Sequence, residues 1–341
     1  MQVRSAINTA REGVLMAIGN TPLVRLNNVF KDLDFNLYAK MEMLNPGGSI
    51  KDRTAISIVE QGIKSGSINQ DTVIVESSSG NMGIGLAQVC SFYGLRLICV
   101  VDAKTTMQNI EILRAYGAEI DCITEPDPVT GEYLQARLDR VSYLRNTVKN
   151  SFWPNQYANI FNPRAHYRTM REIVAATGNK LDYLVCAIST CGTMRGCAEF
   201  VQANNLPTKI IAVDAVGSVI FGGQKAKRLI PGHGAAVTPP LFQNNLAHEC
   251  VHIMDVECVI GCRRLARREA ILAGGSSGAC IAAVEKIMHR IPMGATCVVI
   301  FPDRGERYLD TIYSDQWVED HFGDISENWE REYDECIAIA S

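Results

Sequence analysis

Apolar runs of strand length alternate along the chain with longer stretches in which apolar residues recur every three or four positions. The strand-length runs are 37–43, 73–76, 97–101, 119–124, 183–188, 209–214 and 296–301. Between them, amphipathic spacing predicts helices over 52–64, 82–93, 107–116, 133–147, 164–177, 194–204, 257–269 and 278–289. Strand and helix alternating in this way build βαβ units, whose strands lie parallel. Seven or more strands in 341 residues predict an α/β protein of two α/β domains, with mostly parallel, twisted sheets facing a cleft. The segment 217–246 is rich in Gly and Pro and reads as a loop near the cleft or an oligomer contact. The acidic tail after Gly323 reads as peripheral.

Composition narrows the class. With 47% hydrophobic and 21% charged residues the chain is globular rather than disordered. No apolar run reaches the ~18 residues of a membrane-spanning helix. Residues 1–11 are polar and lack the apolar stretch of a signal peptide. Thirty-three basic residues against 37 acidic ones give a net charge of −4, which predicts neither a nucleic-acid nor a membrane partner. None of the 12 cysteines forms a C-x-x-C pair, so zinc-ribbon and thioredoxin chemistry are excluded. Several sit in apolar runs, such as Cys99 and Cys297, and read as buried free thiols in a reducing cytoplasm.

Two motifs mislead. His248-Glu249-Cys250-Val251-His252 matches the zinc-protease pattern, which needs both imidazoles on one helix face. The surrounding alternation of Val and Ile predicts a strand, which would hold the two His more than ~10 Å apart. No metal site is expected. Gly274-Gly275-Ser276-Ser277-Gly278 matches the hydrolase nucleophile elbow. That chemistry needs a downstream acid and His, and only His289 and His321 follow, on a helix and in a charged segment. A Gly/Ser turn that opens a helix better suits an anion or a ring nitrogen.

Three loops carry more specific chemistry. In Asn45-Pro46-Gly47-Gly48-Ser49-Ile50-Lys51-Asp52-Arg53, glycines allow close backbone approach to a ligand before a helix begins. Lys51 then sits at the positive end of a helix dipole, which favours a neutral amine able to form a Schiff base. An ordinary surface lysine in a turn is the other reading. Ser77-Ser78-Ser79-Gly80-Asn81 and Ser189-Thr190-Cys191-Gly192-Thr193 each join a strand to a helix and offer hydroxyls and N–H groups to an anion. Neither is a Walker loop or a dinucleotide fingerprint, so a phosphate without a nucleotide fits them. Together with the 274–278 turn they imply a phosphate-bearing carbonyl cofactor.

These motifs resemble the fold-type II pyridoxal-phosphate enzymes, the cysteine synthase and cystathionine β-synthase family. The likeness runs from Gly19-Asn20-Thr21-Pro22-Leu23 through both loops to the segment 305–311. A narrower likeness is to a siderophore-pathway branch that makes a precursor of 2,3-diaminopropionate. It shows in 40–53, 78–86, 155–159, 214–221 and 301–317.

The resemblance implies pyridoxal 5'-phosphate in a cleft between a smaller domain (45–155, with 1–22) and a larger one (23–44 plus 156–341), in a homodimer acting on small amino acids. It makes Lys51 the Schiff-base lysine and the acid/base at the substrate carbons. Asn81 would bond the phenolic oxygen of the cofactor. Ser189, Thr190, Cys191, Gly192 and Thr193 would hold its phosphate, and Ser276 would face its pyridine nitrogen. Ser78, Ser79, Gly80 and Gln156 would hold the substrate carboxylate. A hydroxyl at 276 cannot keep the ring nitrogen protonated as a carboxylate can, so β-elimination followed by addition is expected rather than transamination.

Departures from the sulfhydrylase pattern bear on the second substrate. The phosphate loop has Ser189 and Cys191 at the first and third positions, where the family commonly has Gly, and Tyr157 stands where sulfhydrylases have Phe. Cys191 reads as a small loop filler rather than a catalytic thiol. Added polarity agrees with the narrower branch, which joins O-phospho-L-serine to glutamate, whereas sulfhydrylases consume sulfide. Arg137, in the stretch 133–137, is a candidate for a substrate carboxylate or phosphate and equally for an ordinary helix-surface arginine.

Overall fold

A computed structural model describes residues 13–129, 131 and 133–329. The polar segment 1–11, Cys336 and the end of the acidic tail lie outside the described residues.

The strands are β1 (Leu23–Arg25), β2 (Asn36–Lys40), β3 (Val73–Ser77), β4 (Arg96–Asp102), β5 (Glu119–Ile123), β6 (Ser151–Phe152), β7 (Tyr183–Ala187), β8 (Lys209–Ala215), β9 (Glu249–Ile253) and β10 (Thr296–Ile300). The α-helices are α1 (Lys51–Lys64), α2 (Asn81–Tyr93), α3 (Met107–Ala115), α4 (Tyr133–Thr147), α5 (Phe161–Ala176), α6 (Gly192–Ala203), α7 (Asp255–Glu269), α8 (Gly275–Ile287) and α9 (Asp315–Phe322). A six-stranded sheet runs β1-β2-β10-β7-β8-β9 and a four-stranded sheet runs β5-β4-β3-β6. Every pairing is parallel except β1 with β2. The expected two-unit α/β architecture is therefore present.

The inner strands are apolar on both faces because helices cover both faces. In the larger sheet, Val185, Ile211, Val213 and Val299 pack with α7 and α8, while Leu184, Cys186, Ala212 and Val298 pack with α5 and α6. In the smaller sheet, Ile74, Leu97 and Cys99 face α1 and α2, and Val75 and Val100 face Val141 and Leu144 of α4. Helices α2 and α8 are buried almost all round; α8 is buried from its first residue, Gly275, whereas Asn81 at the start of α2 is half-buried. Helix α1 buries Ala55, Ile58, Val59 and Gly62 as one stripe.

Boundaries shift where a turn proves to be the first turn of a helix. Helix α5 begins at Phe161, three residues before its predicted start, because Pro163 sits in the first turn, where no N–H is needed. Helix α8 begins at Gly275, inside the Gly/Ser turn. Strands β1 and β6 are too short for a periodic signal. Helix α9, capped by Ser314 at the N–H of Trp317, was not predicted. The zinc-protease look-alike lies in β9, as its alternation predicts. His252 there approaches Asp214 and Cys250, with donor atoms within 4.8 Å of one another. Asp214 Oδ1 accepts from the N–H of Ala215, and burial pushes the Cys250 thiol up to about 12, so the trio has the character of sheet-edge packing.

Beneath α1 lies a buried ion network. Arg53 Nε and Nη2 donate to Glu42 at 2.7 and 2.8 Å, and Nη2 donates to Glu172 at 2.6 Å. Lys40 Nζ donates to Glu172 at 2.8 Å and to the carbonyl of Thr21 at 2.6 Å. Glu42 also accepts from Thr21 Oγ1 and Asn45 Nδ2. The network ties β2, α1, α5 and the 19–21 turn together.

Removing Arg53 from this network leaves Glu42, 0% exposed, without its hydrogen-bonded charge partner and with Lys40 3.9 Å away as its remaining cation. Arg53→Met is expected to lower the free energy of unfolding by about 3–5 kcal/mol, read from urea denaturation. Burial acts to raise the Glu172 carboxyl, but the bonds and charges of Arg53 and Lys40 outweigh it and hold the group down at about 2 against an ordinary 4.5. Its stabilisation is complete above the ordinary value and is lost as pH falls from 4.5 towards about 2. Glu172→Gln should flatten that part of the stability–pH curve.

Candidate active site

Lys51 opens α1 from a turn that is zippered to the chain after β10. Ile50 N–H donates to Pro302 O at 2.8 Å, Arg304 N–H donates to Gly48 O at 3.3 Å, and Ser49 pairs with Asp303 as an antiparallel bridge. Burial lowers the Lys51 amine, against the opposing charges of Asp303 and of Cys191. Its Nζ has no hydrogen-bond partner among the described residues. A neutral amine is the form that attacks a carbonyl.

Lys51 shares a cavity with Ile188, Ser189, Thr190, Cys191, Gly192, Thr193, Gly232 and Pro302. The loop after β7 thus meets the lysine at the amino end of α6, where free N–H groups favour an anion. Cys191 takes a left-handed conformation (φ 65°) and its side chain is buried, with Sγ 3.8 Å from Ser189 O. Burial pushes its thiol up to about 12, which fits filler rather than nucleophile. A Cβ at Gly192 would overlap the Asn162 amide. Asn162 Nδ2 donates to Thr190 Oγ1 at 3.2 Å and to Gln156 O at 2.7 Å, so one amide anchors both loops. His166 Nε2 lies 3.4 Å from both Thr193 Oγ1 and Thr54 Oγ1. Burial first, then the charges of Lys51 and Arg53, keep that imidazole neutral.

Asn81 and the 274–278 turn meet at Asp303. Asn81 Nδ2 donates to Asp303 Oδ2 at 2.7 Å, and Tyr308 O–H donates to the same oxygen at 2.5 Å. Arg307 Nη1 donates to Asn81 Oδ1, and its Nη2 donates to Gly47 O at 2.6 Å. Gly274 N–H donates to the Asp303 carbonyl at 3.0 Å, and a Cβ at 274 would collide with the Asp303 carboxyl. Burial raises the Asp303 carboxyl, opposed by Tyr308, Asn81, Arg307 and Lys51. Ser276 is buried in the first turn of α8.

The remaining sequence candidates form a second group. Ser78 Oγ accepts from the N–H groups of Gly83 and Gly80, at 2.9 and 3.4 Å. Arg137 Nη1 donates to Ser79 Oγ at 3.3 Å, and its Nε lies 3.3 Å from Asp102 Oδ2. Arg137 is only 14% exposed, so it is not a surface arginine. Gln156 is buried, and its N–H donates to Glu76 at 3.3 Å. Burial lifts Glu76 to about 7 despite bonds from Trp153, Ser77 and Gln156. Burial also raises the Tyr157 phenol, and the charges of Arg137 and Arg228 oppose the rise. Arg228 Nη1 donates to His233 O at 2.8 Å, and its Nε is buried without a hydrogen-bond partner. It has no carboxylate partner among the described residues. Arg228 lies in the 217–246 segment, which sits at the cleft: Gly234 N–H donates to Ile188 O at 2.7 Å.

Sequence reasoning missed Asn162, His166, Asp303, Arg307, Tyr308 and Arg228. The signal for three of them was present. Asp303, Arg307 and Tyr308 follow β10 directly, and the carboxyl ends of parallel strands are where such folds bind ligands.

A pyridoxal phosphate fits this donor set. The amino end of α6, with no side chain at Gly192, suits its phosphate, an unpartnered lysine amine suits its carbonyl, and a serine suits its ring nitrogen. The family described as "Pyridoxal-phosphate dependent enzyme" matches residues 14–303. Among solved structures, the chain is similar to the O-acetylserine-dependent cystathionine β-synthase of Helicobacter pylori, at 33% identity over 90% of this chain and 100% of that one, with TM-score 0.83. It is also similar to a hydrogen sulfide-producing enzyme of Fusobacterium nucleatum, at 32% identity over 89% and 99%, with TM-score 0.83. An O-ureido-L-serine synthase matches at 29% identity over 97% and 100%, with TM-score 0.81. With its fold, its lysine-bearing cavity and a family match over most of its length, the chain belongs to the pyridoxal-phosphate-dependent enzymes, among the cysteine-synthase-like catalysts of β-replacement.

Proposed function

We propose that this enzyme joins O-phospho-L-serine and L-glutamate into N-(2-amino-2-carboxyethyl)-L-glutamate and releases inorganic phosphate. The product is a precursor of 2,3-diaminopropionate for a siderophore. The observation that carries the reading is a pair of guanidinium groups beside the half-buried Tyr157: Arg137, whose Nη1 donates to Ser79 Oγ, and Arg228, whose Nε is buried without a hydrogen-bond partner. Sulfide needs no such surroundings. A phosphate ester and a dicarboxylic amino acid both do, since a guanidinium fork pairs with phosphate and carboxylate alike. The likeness of 40–53, 78–86 and 301–317 to N-(2-amino-2-carboxyethyl)-L-glutamate synthases supports the same assignment.

Pyridoxal phosphate supplies the electron sink for making and breaking bonds at the substrate carbons. Lys51 holds the cofactor, takes the Cα proton of phosphoserine and returns it after addition. The Cβ–O bond breaks and phosphate leaves. The glutamate amine then forms the new Cβ–N bond and gives up a proton. Ser78, Ser79, Gly80 and Gln156 hold the carboxylate of the first substrate. Ser189 to Thr193 bind the cofactor phosphate, and Ser276 stays a neutral partner to the ring nitrogen. The reading includes a homodimer working in the cytoplasm.

The decisive experiment gives cofactor-loaded protein O-phospho-L-serine with glutamate, other amines or sulfide, and follows phosphate release and product mass. A glutamate adduct without sulfide turnover is expected. Sulfide turnover with no glutamate adduct would make the enzyme an O-phosphoserine sulfhydrylase, the reading favoured by its sulfur-handling relatives. Arg228→Ala should cost about 1.5–3 kcal/mol of substrate binding, read as roughly a tenfold or greater rise in KM for an anionic substrate. Gly192→Ala, which drives a methyl into the Asn162 amide, should yield folded protein that no longer retains the cofactor through gel filtration.

A further inference from the structure

A side-chain amide presents a donor on one atom and an acceptor on the other. Which of them meets a ligand is decided by what grips the amide. At Asn81 the grip has two charged jaws. Arg307 Nη1 donates to Oδ1, and Nδ2 donates to Asp303 Oδ2 at 2.7 Å. Turning the amide over would set its NH2 against a guanidinium, donor to donor, and its carbonyl against a carboxylate, acceptor to acceptor. Both lost bonds are charge-assisted, the stronger class.

The jaws are themselves fixed. Arg307 Nη2 donates to Gly47 O at 2.6 Å, in the turn that leads to Lys51. Asp303 accepts from Tyr308 O–H at 2.5 Å, and its backbone pairs with Ser49. One Nδ2 hydrogen is therefore committed and the other is left over.

We propose that Arg307 and Asp303 are positioning residues that fix the Asn81 amide so that its remaining N–H is offered to the phenolic oxygen of the bound cofactor. A donor there favours the ionised phenolate, and a flipped amide would favour the protonated phenol. The proposal rests on the cofactor and on Asn81 as its partner. It does not depend on which substrates the enzyme joins.

The test reads the absorption spectrum of purified holoenzyme at one pH, together with the cofactor dissociation constant. Arg307→Met should move absorbance from the long-wavelength phenolate band to the short-wavelength phenol band and weaken cofactor binding by about tenfold. Asn81→Ala should do the same. Because Arg307 acts through Asn81, the double variant Asn81→Ala/Arg307→Met should match Asn81→Ala alone. Asp303→Asn, which keeps an acceptor, should stay nearer the wild-type spectrum than Asp303→Ala. If Arg307→Met fails to fold, Arg307→Gln, a shorter donor, replaces it and should fall between. An unchanged spectrum in the Arg307 variant overturns the proposal, as do additive effects in the double variant. Wild-type protein that takes up no pyridoxal phosphate would instead remove the cofactor reading beneath it.

Discussion

Four buried charges under α1 hold the rest of the site in place. Lys40, Arg53, Glu42 and Glu172 form two cations and two anions that pair directly with one another. Arg53 lies two residues beyond Lys51, so the register that seats its guanidinium between two carboxylates also fixes where the helix begins. Such a network is weak evidence of stability for its own sake, since apolar residues could fill the space. Its value here is positional. The ions come from β2, the short turn after it, α1 and α5, and Glu42 also takes a bond from the 19–21 turn.

Placing the amine this way lets burial set its chemistry. The opposing charge of Asp303 keeps the amine from being driven too far. His166, kept neutral by burial, adds no positive charge of its own. The second group of residues follows a different balance. Arg137 already has Asp102 beside it, whereas the guanidinium of Arg228 rests on a backbone carbonyl. Of the two, Arg228 has the more charge left to give an anion.

The periodic part of the architecture was legible in the chain. The runs at 97–101 and 183–188 are apolar on both faces, as only a strand covered on both sides can be, and they became β4 and β7. The misses have physical causes. Strands β1 and β6 are too short to show a period, and α9 depends on a local cap, Ser314. Loops that open helices, at Lys51, Asn81 and Gly192, announce themselves by composition. Asn162, His166 and Arg228 do not, because nothing local marks a helix-borne Asn or a loop Arg that reaches a distant turn. The segment after β10 stood out only as a likeness. That its carboxyl and guanidinium close on Asn81 is a fact of tertiary structure.

Helices α7 and α8 touch backbone to backbone just past Ser276. A Cβ on Gly261 would strike the carbonyl of Gly278, and one on Gly278 would strike that of Cys258. The spacing of the two helices is thus set by hydrogen atoms alone. Two positions that present no side chain of their own therefore fix where α8, and Ser276 on it, can lie. A cleft redesigned for other substrates can change its lining but not this crossing, because any side chain there would push the two helices apart and carry Ser276 along with α8.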